Sequence, residues 1–158
     1  MNATENRKQG PLTVNRRALR QYAILETFEA GIELQGTEVK VVRAGEANLN
    51  GAYAMVENRE LWLHQSTIPP YDFGNRFNHD SQRPRRLLMH RREILRLQAL
   101  VEQKGLTLVP LSLRLKRGKI KVELGLGKGK TEFDKRETLR RRDDQRESDR
   151  EVARHWRG

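Results

Sequence analysis

Apolar and polar residues alternate most regularly between positions 108 and 126. Apolar residues recur at every second position up to Leu115, and the alternation resumes at Ile120 after the pair Arg117-Gly118. A period of two is typical of a half-buried β-strand, and a two-residue loop joins two such strands into a hairpin. We therefore predict a β-hairpin with one apolar and one polar face.

A two-residue loop at Arg117 and Gly118 also fixes which residues of this hairpin face each other. The predicted cross-strand pairs are Lys116 with Lys119, Arg114 with Lys121, Ser112 with Glu123, Leu115 with Ile120 and Leu113 with Val122. Like charges directly opposite each other destabilise a sheet. A basic face that is kept despite this cost indicates a polyanionic partner, whereas lysines that only keep an exposed strand soluble are the simpler alternative.

The N-terminal third predicts a strand, a bend and a short helix. The strand covers Tyr22 to Phe28 and resumes after Gly31, where we expect a bulge or sharp bend. A short helix follows, with Thr37 as its N-cap and Gly45 as its C-terminal stop. Before the strand, residues 15–20 bring three arginines to its edge.

The middle of the chain predicts a second hairpin, a loop and a longer helix. Residues 53–57 and 60–64 alternate around the turn Asn58-Arg59, and residues 71–86 have no period and are expected to form a loop. Residues 87–104 carry an apolar stripe at helical spacing that ends at Gly105. With about six antiparallel strands around one small core, the expected fold is mainly β: an OB-like closed antiparallel barrel with two to three helices and a charged C-terminal tail.

Composition limits the chain to one small domain with extensions. Its 158 residues are 35% hydrophobic and 34% charged, with a net charge of +11. We expect residues 1–14 to form a flexible arm, 15–130 the barrel and 131–158 the tail. No apolar run is long enough for a membrane span, and no secretory signal follows the N-terminus. The absence of cysteine excludes disulfides and thiolate metal sites, and it fits a cytoplasmic protein.

The positive charge is concentrated in one segment. Residues 105–130 hold 7 basic and 1 acidic residues, a net charge of +6, whereas residues 131–158 hold 9 and 8, a net charge of +1. The hairpin segment is therefore the best candidate for binding a polyanion, and the tail is not suited to simple phosphate attraction.

The segment that joins hairpin and tail alternates glycine with lysine. Gly125, Gly127 and Gly129, with Lys128 and Lys130, predict a flexible basic hinge that can approach a phosphate closely. Arginines recur at intervals of four in the tail, at Arg142, Arg146, Arg150 and Arg154. We expect the tail to be disordered or marginally helical alone and to fold in an anionic channel, although a solvated helix without a partner is equally compatible with the pattern.

Catalytic and metal-binding chemistry find little support. The four histidines are scattered, and none is at a metal-ligand spacing from another. His79 and Asp80 could pair a base with a carboxylate, but in a polar loop a solvated turn is the better interpretation. We therefore expect neither an enzyme nor a bound cofactor or metal.

Several sequence blocks resemble one family. Residues 28–40, FEAGIELQGTEVK, are similar to the signature of the SsrA-binding protein family, also called small protein B. The resemblance continues in order through Arg43-Ala44-Gly45, Arg86-Leu87-Leu88, Val109-Pro110-Leu111, Gly127-Lys128-Gly129-Lys130 and Asp134-Lys135-Arg136. It covers nearly the whole chain, so it is far more specific than a single glycine motif.

This resemblance implies an OB-like barrel that binds transfer-messenger RNA (tmRNA, or SsrA RNA) and helps rescue ribosomes stalled on messages lacking a stop codon. The implied partners are tmRNA and the stalled 70S ribosome, including 16S rRNA near the decoding centre. The barrel would stand where an anticodon stem stands, and the tail would enter the empty message channel. We expect such a protein to act as a monomer.

Pattern and resemblance together give two sets of candidate site residues. For the RNA, the resemblance implies Asn15, Glu29, Lys121, Lys128 and Gly129, and the basic pattern adds Arg16, Lys119 and Lys130. For the ribosome, the resemblance implies Asp134, Lys135 and Arg136, and the tail pattern adds Phe133, Arg140, Arg142, Arg146 and Arg150. Phe133 replaces the histidine common in the family, and its ring can still stack on a base.

A second interpretation comes from a different class of protein. A structural ribosomal protein or a general single-strand-binding OB module fits the basic hairpin equally well. Such a module is expected to carry stacked aromatic residues across the barrel face. The chain is only 6% aromatic, which favours the tmRNA-binding interpretation.

Overall fold

The structure is a computed structural model that describes residues 10–72, 78–130, 140, 145 and 146. Its elements, in chain order, are β1 (Thr13–Val14), α1 (Arg16–Gln21), β2 (Tyr22–Ile32), α2 (Gly36–Arg43), β3 (Tyr53–Glu57), β4 (Glu60–His64), β5 (Arg85–Leu88), α3 (Arg91–Lys104), β6 (Thr107–Lys116) and β7 (Lys119–Gly129). None of the helices in this described part is long and apolar enough to cross a membrane.

Strands β2 to β7 form a closed antiparallel ring. Their order is β6-β3-β4-β5-β2-β7, and pairing of β6 with β7 joins the two ends. The short strand β1 adds to β6, where Thr13 faces Leu113. The mainly β, closed arrangement of about six strands that the sequence predicts is therefore confirmed.

The core fills the inside of the ring. Leu61, Leu63, Leu113, Val122 and Leu124 are nearly inaccessible to solvent and belong to one cluster, to which α2 and α3 also contribute. Because side chains alternate between the two faces of a strand, the residues between these positions point outward. The apolar faces predicted for both hairpins are thus the inner face of the ring.

Both predicted two-residue hairpin loops are confirmed. Asn58 and Arg59 have φ values of 50° and 66°, and Arg117 and Gly118 have values of 53° and 77°. Left-handed conformation at both central residues is the geometry that matches the twist of two paired strands.

The prediction of one long helix over residues 87–104 is wrong at its start. Arg85–Leu88 form β5, and the helix begins at Arg91. Leu87 is buried between its strand partners Leu61 and Ile32. A run of four residues that includes an inward-facing arginine has too little periodicity to be recognised as a strand.

The expected irregularity at Gly31 is also misplaced. The register of β2 against β7 shifts between Ile24 and Glu26, whereas Gly31 stays paired with Leu88 on one side and Lys121 on the other. A Cβ atom at Gly31 would lie 3.3 Å from the Leu88 Cβ. The missing side chain at Gly31 thus accommodates the close approach of β5 and is not part of a bulge.

The N-cap of α2 is Gln35, and the prediction of Thr37 is wrong. The backbone amide of Gln35 donates a hydrogen bond of 2.9 Å to Glu38 Oε1. Thr37 lies inside the helix, where its hydroxyl is hydrogen-bonded to His79. Gly45 has a φ of 77°, which agrees with its predicted role as the helix stop.

Candidate nucleic-acid interface

The polar face of the β6–β7 hairpin forms the first basic surface. Lys116 pairs with Lys119, and Arg114 pairs with Lys121, in the register that the two-residue loop predicts. Lys116, Lys119 and Arg114 are exposed, and Lys121 is half-buried. We call these four residues the hairpin surface. They bring four positive charges to adjacent positions on a rigid ladder.

Acidic residues at the edge of the hairpin surface form exposed ion pairs with it. Lys116 Nζ lies 3.2 Å from Glu29 Oε2, with side chains that are 56% and 52% exposed. Arg114 Nε lies 3.7 Å from Glu123 Oε2, an oxygen that also accepts a hydrogen bond from Ser112 Oγ. Exposed pairs of this kind contribute little to stability. Their side chains can therefore exchange partners at low cost when a polyanion approaches.

A shallow cavity is lined by both acidic and basic side chains of this region. Its volume is about 270 Å³, and its lining residues are Thr27, Phe28, Glu29, Arg114, Lys121 and Glu123. Carboxylate acceptors beside guanidinium and ammonium donors allow hydrogen bonds to both kinds of groups on a base or ribose.

Asn15 is buried and fixes the start of helix α1. It is only 1% exposed. Its Oδ1 accepts a hydrogen bond of 3.1 Å from the Ala18 amide, which is the N-cap interaction. Its Nδ2 donates to the carbonyl oxygens of Leu49 and Pro110 at 3.0 and 2.8 Å. The side chain thus ties α1 to the loop before β3 and to β6.

Helix α1 packs on the outside of the ring, against strands that carry glycine at the contact. The contact is a separate small cluster of Ala18, Leu19, Tyr22, Ile24, Val109 and Leu111. A Cβ atom at Gly127 would lie 3.0 Å from Tyr22 Cβ, and one at Gly125 would lie 3.0 Å from Leu111 Cδ1. The prediction of a flexible glycine hinge is therefore wrong, because these glycines lie in β7 and make room for the outer cluster.

Helix α1 carries the second basic surface. Arg16, Arg17 and Arg20 are exposed, and so is Lys128, which pairs with Ala23 at the start of β2. We call the three arginines the α1 surface. Lys128 follows Gly127, over which α1 packs, so its side chain leaves the other face of β7. Sequence analysis assigned only Arg16 and Lys128 to the RNA site and did not identify α1 as a helix, since six residues with one buried alanine give no periodic signal.

The end of β7 is attached to the C-terminal end of α1. The Lys130 amide donates a hydrogen bond of 2.8 Å to the Gln21 carbonyl, and Lys130 Nζ donates one of 3.3 Å to the Leu19 carbonyl. Gly129 pairs with Tyr22 and has no neighbour within 4 Å of a would-be Cβ. Lys121 and Lys128 are seven residues apart on β7, so their Cα atoms are about 23 Å apart at ~3.3 Å per residue, and their side chains leave opposite faces of the strand.

A buried charged cluster on the other side of the molecule was missed by sequence analysis. Glu38 and Arg85 are both fully buried, and Glu38 Oε2 accepts a hydrogen bond of 2.6 Å from Arg85 Nε. Arg83 donates to the other oxygen of Glu38. Arg85 also donates to Ser66 Oγ at 2.9 Å and to several backbone carbonyls. This cluster joins α2, β5 and the loop between β4 and β5.

The protonation of Glu38 reflects two opposing effects. Burial alone raises the pKa of its carboxyl group, but hydrogen bonds from Arg83, the Gln35 amide and Arg85 outweigh burial and hold the pKa below its ordinary value. Burial lowers the pKa of Arg85, and the neighbouring Glu38 opposes that shift. Two hydrogen-bonded guanidinium groups thus keep the buried carboxylate ionised.

His79 is a structural residue, and the expected solvated turn is wrong. It is 7% exposed, its Nδ1 lies 2.8 Å from Thr37 Oγ1, and its Nε2 lies 2.8 Å from the Ile68 carbonyl oxygen. Asp80 is not its partner, so no base–carboxylate pair forms. Among the residues that the structure describes, no group of three or more His, Asp or Glu side chains is arranged to hold a metal.

Most of the predicted tail site lies outside the described residues. This applies to Phe133, Asp134, Lys135, Arg136, Arg142 and Arg150. Arg140 and Arg146 are described as helical and exposed. The proposed role of the tail therefore stays a prediction.

A small closed β ring that carries exposed basic surfaces is typical of proteins that bind nucleic acid. The model of the family described as SmpB protein matches residues 12–154. The chain therefore belongs to the SmpB family.

Named relatives and a solved structure agree with this assignment. The chain is 58% identical over 144 residues to the SsrA-binding protein of Synechococcus elongatus, covering 90% of this chain and 94% of the relative. It is 52% identical to the SsrA-binding protein of Desulforudis audaxviator, covering 91% and 92%. A solved chain from work on tmRNA-SmpB at the center of the bacterial ribosome is 50% identical, with a TM-score of 0.64 and coverage of 81% of this chain and 94% of that chain.

Proposed function

We propose that this protein binds tmRNA and delivers it to ribosomes stalled on messages lacking a stop codon, and that it acts in the cytoplasm without enzymatic activity. The observation that carries this proposal is the family membership over residues 12–154, joined with 50% identity to a chain studied as tmRNA-SmpB in the ribosome. The expected partners are tmRNA and the stalled 70S ribosome.

The hairpin and α1 surfaces supply the electrostatic part of RNA binding. RNA helices are recognised through shape, phosphates and ribose hydroxyls. Basic residues at separate positions, such as Lys121 and Lys128 about 23 Å apart along β7, can contact separate phosphate groups of one folded RNA. Lys119, Lys121 and Lys128 are the proposed phosphate contacts, with Arg16 on α1 and Lys130 at the end of β7.

Glu29 and Asn15 have different roles in this proposal. Glu29 is exposed beside Lys116, so its carboxylate can accept a hydrogen bond from a base amino group or a ribose hydroxyl. Asn15 is buried with its amide engaged on both sides. We therefore assign Asn15 as a positioning residue, which acts on the RNA through the orientation of α1 and Arg16.

The test of this proposal is a competition for binding. Labelled tRNA-like domain of tmRNA is bound to the full-length protein and displaced by unlabelled tmRNA domain or by unrelated folded RNA of equal length. The unrelated RNA is expected to compete at least tenfold less well, because shape and base contacts add to phosphate attraction. Equal competition would contradict the proposal and favour a general RNA-binding or ribosomal structural protein.

A matched pair of variants locates the interface. Lys119→Gln with Lys121→Gln should weaken binding. It should also reduce the salt dependence of binding, because a complex with fewer phosphate contacts releases fewer counterions. Arg92→Gln with Lys104→Gln removes the same two charges from exposed positions of α3, outside both surfaces, and should leave affinity unchanged. A similar loss in both proteins would indicate an effect of net charge alone.

The tail is proposed to enter the vacant message channel of the stalled ribosome. Ending the chain after Lys130 removes the residues predicted for ribosome contact, Phe133, Asp134, Lys135, Arg136, Arg140, Arg142, Arg146 and Arg150. The truncated protein should keep its affinity for tmRNA and lose peptide tagging on stalled ribosomes in a reconstituted translation system. Tagging that survives truncation would disprove the role of the tail.

A further inference from the structure

An aromatic side chain lies on the outer face of the ring, far from both basic surfaces. Trp62 is in β4 between Leu61 and Leu63, which are fully buried inside, so its indole points outward. Its neighbours in register are Met55 on β3 and Arg86 on β5. In the ring order, β4 is three strands from β7 in either direction. Trp62 therefore faces away from the hairpin and α1 surfaces.

Trp62 forms one wall of a cavity of about 220 Å³. The cavity is lined by Glu33, Leu34, Gln35, Trp62, Arg83 and Arg86. The indole is half-buried, so its position is fixed while part of it remains accessible. The cavity thus combines a flat apolar surface, two guanidinium groups, one carboxylate and one amide. We call it the Trp62 pocket.

The arginines of the Trp62 pocket already have anionic partners. Arg83 donates to the buried Glu38, and Arg86 Nη2 lies 3.6 Å from Glu60 Oε1. Within the described part of the chain, the carboxylate of Glu33 has no ion-pair partner. The two arginines of the pocket face three carboxylates, those of Glu33, Glu38 and Glu60. In the part of the chain that the structure describes, the four basic residues of the hairpin surface face only two, Glu29 and Glu123. The pocket is therefore less suited to a phosphate than the hairpin surface. It is suited to a neutral, planar group.

A nucleobase has the chemistry that fits these groups. Its face can stack on an indole or a guanidinium plane, as bases of single-stranded nucleic acid do on aromatic side chains. Its edge carries both donors and acceptors, which the Glu33 carboxylate and the Gln35 amide can meet. An aliphatic peptide side chain offers no donor or acceptor to the carboxylate and the amide and would use only the apolar surface of the indole.

We propose that the Trp62 pocket binds an unstacked base of single-stranded RNA, as a second RNA site on the opposite side of the ring from the hairpin surface. This site lies beyond the proposed binding of tmRNA by the hairpin and α1 surfaces and does not depend on it. It would let one ring contact two RNA segments at once.

The experiment uses the full-length Trp156→Phe protein, in which Trp62 is the remaining tryptophan. Its fluorescence is titrated with a single-stranded RNA hexamer and with an abasic strand of equal length and charge. The hexamer should quench Trp62 and bind on the order of tenfold more tightly than the abasic strand, because stacking is lost without the base. Equal quenching by the abasic strand, or no quenching by either strand, would overturn the proposal.

Variants separate this site from the basic surfaces. Quenching should persist with Lys119→Gln and Lys121→Gln added, and its loss there would place the base on the hairpin side. Binding of labelled hexamer should weaken on the order of tenfold with Trp62→Leu and severalfold with Arg86→Gln. Leu88→Ala removes an exposed apolar side chain from the same face of β5 and should change nothing. Unchanged binding in both Trp62→Leu and Arg86→Gln would also overturn the proposal.

Discussion

The buried cluster around Glu38 and the hairpin surface both pair acidic with basic residues, but their environments differ. Glu38 and Arg85 are fully buried, and every charged oxygen has a directed donor. Glu29 and Lys116 are more than half exposed, at a distance of 3.2 Å. Removal of one partner from a buried pair leaves an uncompensated charge, whereas an exposed charge is satisfied by water. The first pair therefore maintains the fold, and the second remains available to a ligand.

The largest expected effect is at the buried cluster. Glu38→Gln removes the charge that compensates Arg85 and should lower the free energy of unfolding by about 3–5 kcal/mol. Urea denaturation of the purified protein measures this change. Glu29→Gln is the matched exposed control and should change stability by less than ~1 kcal/mol. Equal effects of the two substitutions would remove the distinction between the regions.

The pH dependence of stability should also show the contribution of the buried Glu38. The pKa of Glu38 is lowered in the folded protein relative to its ordinary value of 4.5. Its stabilising contribution is therefore complete above that ordinary value and is lost as the pH falls through the lower folded pKa. We expect the stability gap between wild type and Glu38→Gln to narrow below about pH 4.5, as followed by chemical denaturation at several pH values. A gap that stays constant down to acid unfolding would contradict this assignment.

The second largest effect on stability is expected where α1 packs against β7. Gly127→Ala places a Cβ 3.0 Å from Tyr22 Cβ and should cost about 1–3 kcal/mol through displacement of the outer cluster. Affinity for tmRNA should also fall, because the arginines of α1 lose their fixed position. Gly36→Ala is the control, since a Cβ there meets nothing within 4 Å. Hydrogen exchange of the α1 amides would detect the loosening, and unchanged exchange would disprove the role of Gly127.

The smallest effect on stability is expected at the hairpin surface. Lys121→Gln removes a like charge opposite Arg114, so stability should stay constant or rise by a few tenths of a kcal/mol. Binding of tmRNA should weaken, with the slope of log affinity against log salt reduced by about 1. Loss of stability together with unchanged RNA binding would reverse the comparison between the two regions.

The sequence pattern predicted correctly those parts of the fold that depend only on neighbouring residues. The two-residue turn at Arg117-Gly118 and strict alternation were sufficient to give the register of β6 against β7. Strand β5 was missed because Arg85 points inward, and its burial depends on Glu38, which is 47 residues away in the chain. His79 was misjudged for the same reason, since its partner Thr37 lies on a different element.

The sequence predicted which basic residues belong to the candidate site, but it did not predict how the fold arranges them. Lys119 and Lys121 follow from the alternation of the hairpin. The position of α1 depends on the close contact between Gly127 and Tyr22. These two residues meet only because β2 pairs with β7. Glycine and lysine in alternation suggested a flexible segment because the sequence does not show that another element covers the missing side chains.

Lys130 is bonded to α1 through both its backbone amide and its side chain. Residues 131–158 consequently start from a point that is fixed to the helix carrying Arg16, Arg17 and Arg20. RNA that contacts these arginines would therefore bind next to the origin of the C-terminal segment. The helix that carries the basic residues and the segment predicted to contact the ribosome thus share one attachment point on the ring.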